Sequence, residues 1–176
     1  MAGFFIFKFQ FTNNFKVFNL KEITVKKGQI LQRSGELNSK AYVVKSGLIR
    51  SYYIDEKGKE HIFMFGTEGW IISDYLGTDE PSVLFIDALE DSILEILEKK
   101  LEGEVKVNVA KIFKRVGVLQ RRVIMLMSSS AIQRYEHFIE TYPQIVQRVP
   151  QRMIASYLGI TPEALSKVKG ERNLKK

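Results

Sequence analysis

Gln151-Arg-Met-Ile-Ala-Ser-Tyr-Leu-Gly-Ile-Thr-Pro-Glu-Ala-Leu-Ser-Lys-Val168 spaces its apolar residues as two short helices joined by a tight turn. Ile154, Leu158, Ile160, Leu165 and Val168 recur at the spacing that packs one helix on another. Ala155 is small where the helices must cross closely. Gly159 tolerates the positive φ that the turn needs. Thr161 can cap the second helix, and Pro162 sits at the first helical position, where a missing N–H is no loss. The pattern predicts a helix-turn-helix, the unit that sets its second helix in the major groove of DNA. A helical hairpin that serves only for packing is the alternative.

Charge points the same way. The 176 residues hold 27 Lys plus Arg against 20 Asp plus Glu, a formal net charge of +7. From Gln151 onward six basic residues face two acidic ones, Glu163 and Glu171. A basic segment suits a polyanionic partner. The second helix would present Thr161, Pro162, Glu163, Ser166, Lys167 and Lys169. Glu163 can accept from a cytosine amino group, and Lys167 can donate to guanine N7 and O6. Glu163 has a second reading, as a favourable charge in the first helical turn. Gln151, Arg152, Lys169 and Arg172 are expected to contact phosphates, which fix register and make binding salt-sensitive.

Upstream, period-two runs extend from about Phe15 to Leu97. Ala41–Val44 and His61–Phe65 are apolar runs, punctuated by Lys26-Lys-Gly28, Ser34-Gly-Glu36, Lys45-Ser-Gly47, Asp55-Glu-Lys-Gly58 and Gly66–Gly69. Short strands with glycine turns predict an all-β sandwich or roll, with Asp55–Gly58 as a hairpin turn. The alternation Phe5, Phe7, Phe9, Phe11 reads as a strand with one aromatic face, or as a poorly ordered leader. The N-terminus lacks a positive start and a cleavage site, so no signal peptide is expected.

From about Leu101 the period changes. Val105, Val109, Ile112, Val116, Leu119, Val123 and Leu126 alternate spacings of four and three, the seam of a coiled coil. This predicts a dimer helix; the alternative is an amphipathic helix packed on its own β domain. Phe113, Gln120 and Ile124 broaden the stripe. Ser128-Ser-Ser130 marks a break, Ala131–Tyr142 a further helix closed by Pro143. The expected organisation is α+β: a β-roll (double-stranded jelly roll) at 1–100, a dimerisation helix at 101–129 and a helix-turn-helix domain at 130–176.

A β-rich domain, a long helix and a terminal helix-turn-helix, in that order, resemble the cyclic-AMP receptor protein/fumarate-nitrate regulator (Crp/Fnr) family of bacterial transcription factors. Val25-Lys-Lys-Gly-Gln-Ile-Leu-Gln-Arg-Ser-Gly-Glu36 looks like its opening strand and turn. Ala41-Tyr-Val-Val-Lys-Ser-Gly-Leu-Ile-Arg50 resembles its glycine-containing strand pair, and Gln151–Lys169 its DNA-binding unit. The resemblance implies a cytoplasmic homodimeric regulator on double-stranded DNA, with a small-molecule effector and RNA polymerase as further partners. It also implies that the positions matching Pro162, Glu163 and Lys167 face base edges. The first is commonly arginine there, and proline cannot donate. Family members often continue into a β wing, for which little room remains before Lys176.

The resemblance fails where ligand chemistry is expected. Cyclic-nucleotide binders of this fold carry a Gly-Glu pair and an Arg-Ser/Thr-Ala run. Here the matching stretches are Gly69-Trp-Ile-Ile-Ser-Asp74 and Glu80-Pro-Ser-Val83, with no arginine between Arg50 and Arg115 and no lysine between Lys59 and Lys99. A cyclic phosphate needs a charge-assisted donor, so cyclic AMP is not expected. Trp70, Ser73, Asp74, Tyr75 and Ser82 are candidates to line a pocket for a neutral or apolar effector; alternatively the aromatic ones fill the core.

The chain has no cysteine, which removes disulfides, thiolate metal sites and cysteine-ligated iron–sulfur oxygen sensing. Its two histidines, His61 and His137, fall in different regions, too few for a cupin-like metal enzyme. No cofactor or metal is expected, and no apolar run reaches the ~20 residues of a membrane span. A constitutive DNA-binding module with a vestigial β-roll, and an effector-switched sensor, both stay open.

Overall fold

Strand propensity and glycine turns yield eight strands in the first half of the chain: β1 Lys21–Val25, β2 Ile30–Gln32, β3 Ala41–Ser46, β4 Ile49–Ile54, β5 Glu60–Gly66, β6 Ile71–Ser73, β7 Phe85–Ala88 and β8 Ser92–Leu97. The computed structural model describes residues 21–74, 79–97 and 109–174, with the side chains at 109–112, 114, 115, 118, 173 and 174 outside the description. Phe5 to Phe11, Tyr75, Gly103 and Val105 therefore lie outside it, as do the side chains of Val109 and Ile112. The chain divides into two units, Met1–Lys100 and Leu101–Lys176.

The strands form two four-stranded sheets, ordered β1-β8-β3-β6 and β2-β7-β4-β5. All pairings are antiparallel. Most neighbours are not consecutive in sequence, which is the jelly-roll connectivity expected of a β-roll. Val25, Tyr42, Val44, Ile49, Met64, Ile72, Ile86, Ala88 and Leu94 form the core, each sheet contributing the face that its alternation makes apolar.

The Asp55 turn forms as expected. Tyr53 opposes His61 and Ile54 opposes Glu60 across it. Asp55 Oδ1 accepts the backbone N–H groups of Lys57 and Lys59, both at 2.9 Å. The imidazole of His61, 2.8 Å from Asp55 Oδ2, and these N–H groups hold the carboxyl below its ordinary range. Gly47, at the β3–β4 turn, has φ +97°, and a Cβ there would collide with the Ser92 side chain and lie 2.7 Å from the Asp91 carbonyl. That Ser92 hydroxyl accepts the Leu48 N–H at 3.1 Å, so the turn and β8 are fastened together.

One buried charge is fully answered. Arg50 on β4 stands opposite Asp87 on β7. Its Nε and Nη2 donate to the two Asp87 oxygens at 2.8 and 2.9 Å, and it also donates to Glu60. The guanidinium lies 4.0 Å from the Tyr52 ring centroid. Burial works against its charge, but its hydrogen bonds to Asp87 and Glu60 outweigh that and raise its pKa.

The second unit is helical: α1 Val109–Ser128, α2 Ala131–Thr141, α3 Gln151–Leu158 and α4 Pro162–Leu174. The serine break lies between α1 and α2. Ser130 is the N-cap of α2 in a capping box: its hydroxyl accepts the Gln133 N–H, and the Gln133 side chain accepts the Ser130 N–H. Among the described residues no helix is long and apolar enough to cross a membrane. Replacing Asp87 with Ala strands the Arg50 charge against Glu60 alone, and should cost about 3–5 kcal/mol in denaturant unfolding; Arg50→Met with Asp87→Leu should recover most of that loss.

Candidate nucleic-acid interface

Three helices, α2, α3 and α4, pack against one another around an apolar centre. Ile154, Leu158, Leu165 and Val168 are buried there, as their spacing predicted, together with Ala155, while Ile160 of the same spacing is half-buried. Phe138, Tyr142 and Tyr157 add a ring cluster with centroids 5.4 to 5.5 Å apart, and Ile145 and Val149 close its side. Such tilted and edge-on ring pairs fix the angle at which α2 carries α3.

The turn between α3 and α4 satisfies its own backbone. Gly159 takes φ +66°, its N–H reaches the Ser156 carbonyl, and the Ile160 N–H reaches the Ala155 carbonyl. This double bond pattern is a Schellman motif. Thr161 Oγ1 then accepts the Ala164 N–H at 3.2 Å, capping α4. The Glu163 carboxylate takes its own backbone N–H and the Thr161 hydroxyl, which lower its pKa. Its charge lies in the first turn of α4, where it suits the positive end of the helix dipole.

The surface this leaves is specific. Pro162, Glu163, Ser166, Lys167 and Gly170 are exposed along one face of α4, while Leu165 and Val168 turn inward. Gln151 and Arg152 are exposed at the start of α3, and Thr161 at the turn. Lys169 and Arg172 are half-buried on the flank. Arg172 lies beside Tyr135 of α2, whose hydroxyl pKa burial raises and the Arg172 charge opposes. The candidates thus divide: most gather on the free face of α4 and its entrance, whereas Arg172 leans toward α2.

On α1 the described seam residues differ in exposure. Val116 and Val123 are exposed, but Leu119 and Leu126 are half-buried. Leu126 Cδ2 sits 3.8 Å from where a Cβ on Gly159 would be, so it packs on the helix-turn-helix turn. One exposed line runs through Phe113, Val116, Gln120, Val123 and Met127, again at alternating spacings of three and four, with Ile124 beside it. Met127 is 80% exposed and Phe113 71%. Arg122 projects from the other side of α1, 4.3 Å from the Tyr157 ring centroid.

In the β unit the described effector candidates, Trp70, Ser73, Asp74 and Ser82, make contacts within the fold. The Asp74 carboxylate accepts the N–H groups of Val83 and Leu84 at 2.7 and 2.9 Å. Ser82 Oγ donates to the Arg33 carbonyl and Ser73 Oγ to the Asp74 carbonyl. Trp70 packs against the core cluster. A phosphate approaching Val83 and Leu84 would meet a carboxylate already holding those donors, and the buried Arg50 is neutralised elsewhere. These residues do not fit a cyclic phosphate. Among the described residues no three of His, Asp and Glu gather as a metal site.

Sequence reasoning passed over two contributors. Ser130 and Gln133 form a serine-x-x-glutamine pattern, a capping-box signal legible in the chain. Arg134 has no such signal: its guanidinium reaches the carbonyls of Leu126, Ser129 and Leu158, which only the packed helices bring together.

The family model for the cyclic nucleotide-binding domain matches residues 22–107. The chain is 25% identical over 168 residues to the fumarate and nitrate reduction regulatory protein of Vibrio cholerae, covering 83% of this chain and 66% of that one. It is 26% identical over 165 residues to the regulatory protein HlyX of Actinobacillus pleuropneumoniae, covering 83% and 69%. It therefore spans about two thirds of the length of these relatives. Among solved structures, FixK2 from Bradyrhizobium japonicum superposes with a TM-score of 0.70 at 21% identity, covering 89% of this chain and 85% of that one. The CRP/FNR-family regulator TTHA1359 from Thermus thermophilus gives 0.67 at 19% identity, covering 88% and 87%. A β-roll followed by a capped helix-turn-helix is the architecture of a regulator class rather than of an enzyme. Within that class, the chain is similar to transcriptional regulators of the Crp/Fnr family.

His137 on α2 gives this unit a pH dependence. Burial lowers its pKa and the Arg122 charge adds to that, against Glu140. The unfolded chain therefore binds more protons as pH falls below the ordinary value of 6.5. Stability should be full above that value and decline as pH drops from about 7 to 5. Thermal midpoints across this range should show a slope that His137→Gln flattens.

Proposed function

We propose that the protein is a sequence-specific DNA-binding transcriptional regulator that acts as a homodimer on an inverted repeat. The observation that carries this reading is the free face of α4, where Glu163, Ser166 and Lys167 stand exposed above a buried Leu165–Val168 underside. A helix held from one side and entered through a capped turn can lie in a major groove. Lys167 is the base-reading donor, and Gln151, Arg152 and Lys169 contact phosphates. Pro162 contributes shape only, since it has no N–H and no polar side chain.

Two copies pair along the exposed α1 stripe of Phe113, Val116, Gln120, Val123 and Met127. Their helix-turn-helix units then meet successive major grooves, about 34 Å apart. The β-roll is the effector domain. Its chemistry favours a neutral or apolar ligand over cyclic AMP, because Asp74 already occupies the Val83 and Leu84 donors. RNA polymerase is the further partner such a regulator would address.

Selection of bound genomic fragments by the purified protein tests the reading. An inverted repeat should be enriched. Lys167→Ala should weaken binding to it by about 1–3 kcal/mol and relax preference at one position per half-site. Arg152→Ala should instead weaken all sequences alike and reduce the salt dependence. Enrichment of no sequence would overturn the assignment. Sedimentation of Val123→Asp should give a monomer where the parent is dimeric, and its affinity for the full repeat should fall while the β-roll stays folded.

A further inference from the structure

Arg134 stands in the first turn of α2, where its guanidinium meets three backbone carbonyls from three segments. Nη2 donates to Leu126 at 2.6 Å, in the last turn of α1. Nε donates to Ser129 at 3.0 Å, in the break between α1 and α2. Nη1 donates to Leu158 at 3.1 Å, the last residue of α3. Carbonyls in the last turn of a helix have no partner within it and carry the negative end of its dipole. A single cation thus caps two helices at once and holds the C-terminus of α1 against that of α3. The guanidinium lies against the turn at Gly159, where a Cβ would stand 3.6 Å from Nη1, in ordinary contact; the glycine is required there by its φ of +66°. Leu126, whose carbonyl takes one of the bonds, covers the same turn with its side chain.

We propose that Arg134 is a positioning residue that sets the angle between the α1 helix and the helix-turn-helix. Its consequence for DNA rests on the reading above; the clamp itself does not. Three acceptors in fixed directions suit a planar guanidinium with its several N–H donors. A lysine supplies one point charge and cannot span them. Of the groups that join α1 to α3, the Arg122–Tyr157 stack is cation on ring and tolerates sliding. The Arg134 bonds are directional, so they specify an orientation. In a dimer built on α1, that orientation determines where both recognition helices point. A half-site asks nothing of it, whereas two half-sites on one duplex require both helices to fit together.

The test uses the full chain and exploits its lack of cysteine. Arg121→Cys on α1 and Glu171→Cys on α4, both exposed positions, carry spin labels in parent, Arg134→Ala, Arg134→Lys and Ile145→Val proteins. Ile145→Val serves as a destabilised control whose clamp is intact. The parent and Ile145→Val should give the same narrow distance distribution, and both Arg134 variants a broader or shifted one. Affinity for the selected inverted repeat should fall about tenfold or more in the Arg134 variants, while binding to a duplex with one half randomised stays within about twofold. Unchanged distances in both Arg134 variants, or equal broadening in Ile145→Val, would overturn the clamp. Equal loss on whole and half sites would reduce Arg134 to a stability role. If Arg134→Ala does not fold, Arg134→Lys carries the measurement. A parent that binds no DNA would sink the functional reading, while the distances still judge the clamp.

Discussion

A backbone N–H or C=O that leaves water must find a partner inside the protein, and the ends of helices and strands are where partners are scarce. Both units of this chain are organised around that constraint. In the β unit, Asp74 holds two successive N–H groups before β7, Ser82 holds the Arg33 carbonyl, and Ser92 holds the turn at Gly47. In the helical unit, Ser130 and Thr161 cap the starts of α2 and α4, and Arg134 collects the carbonyls left at the ends of α1 and α3. The apolar core supplies most of the driving force for folding. These polar contacts decide where each element stops and which way it points.

The same accounting separates fold from function. Ser73, Asp74 and Ser82 of the β-roll, read from the sequence as pocket candidates, hydrogen-bond to backbone. Arg50 is committed to Asp87 and Glu60. The domain keeps the shape of a cyclic-nucleotide-binding fold while its described polar candidates are engaged elsewhere, so the fold alone does not assign the ligand. On α4 the reverse holds. Caps and core contacts engage one side of the helix, and the other is left exposed with lysine and serine upon it.

Much of this was legible in residues. The glycine turns, the Asp55 hairpin and the Ala155–Gly159–Thr161–Pro162 turn were readable because each depends on local backbone preference. The strand order was not, because the sheets pair strands as far apart as β1 and β8. The α1 stripe was readable as a heptad, but the exposure of each of its members was not. Leu119 and Val123 are equally apolar, and only packing makes the first half-buried and leaves the second exposed. Leu126 belongs to the seam by spacing, but its neighbour in space is Gly159.

The chain by itself determined its periodicities, its helix starts and its breaks, since these follow from φ, capping and hydrophobic spacing over a few residues. It also determined what chemistry is missing, because absent cysteine, and absent arginine across the middle of the β-roll, can be read without coordinates. The tertiary structure alone decided the partners of Asp74, Arg50 and Arg134. Each is a polar side chain whose acceptor or donor comes from a different element. No local rule predicts such a partner, because it is the packing of those elements that brings the two groups within hydrogen-bonding distance.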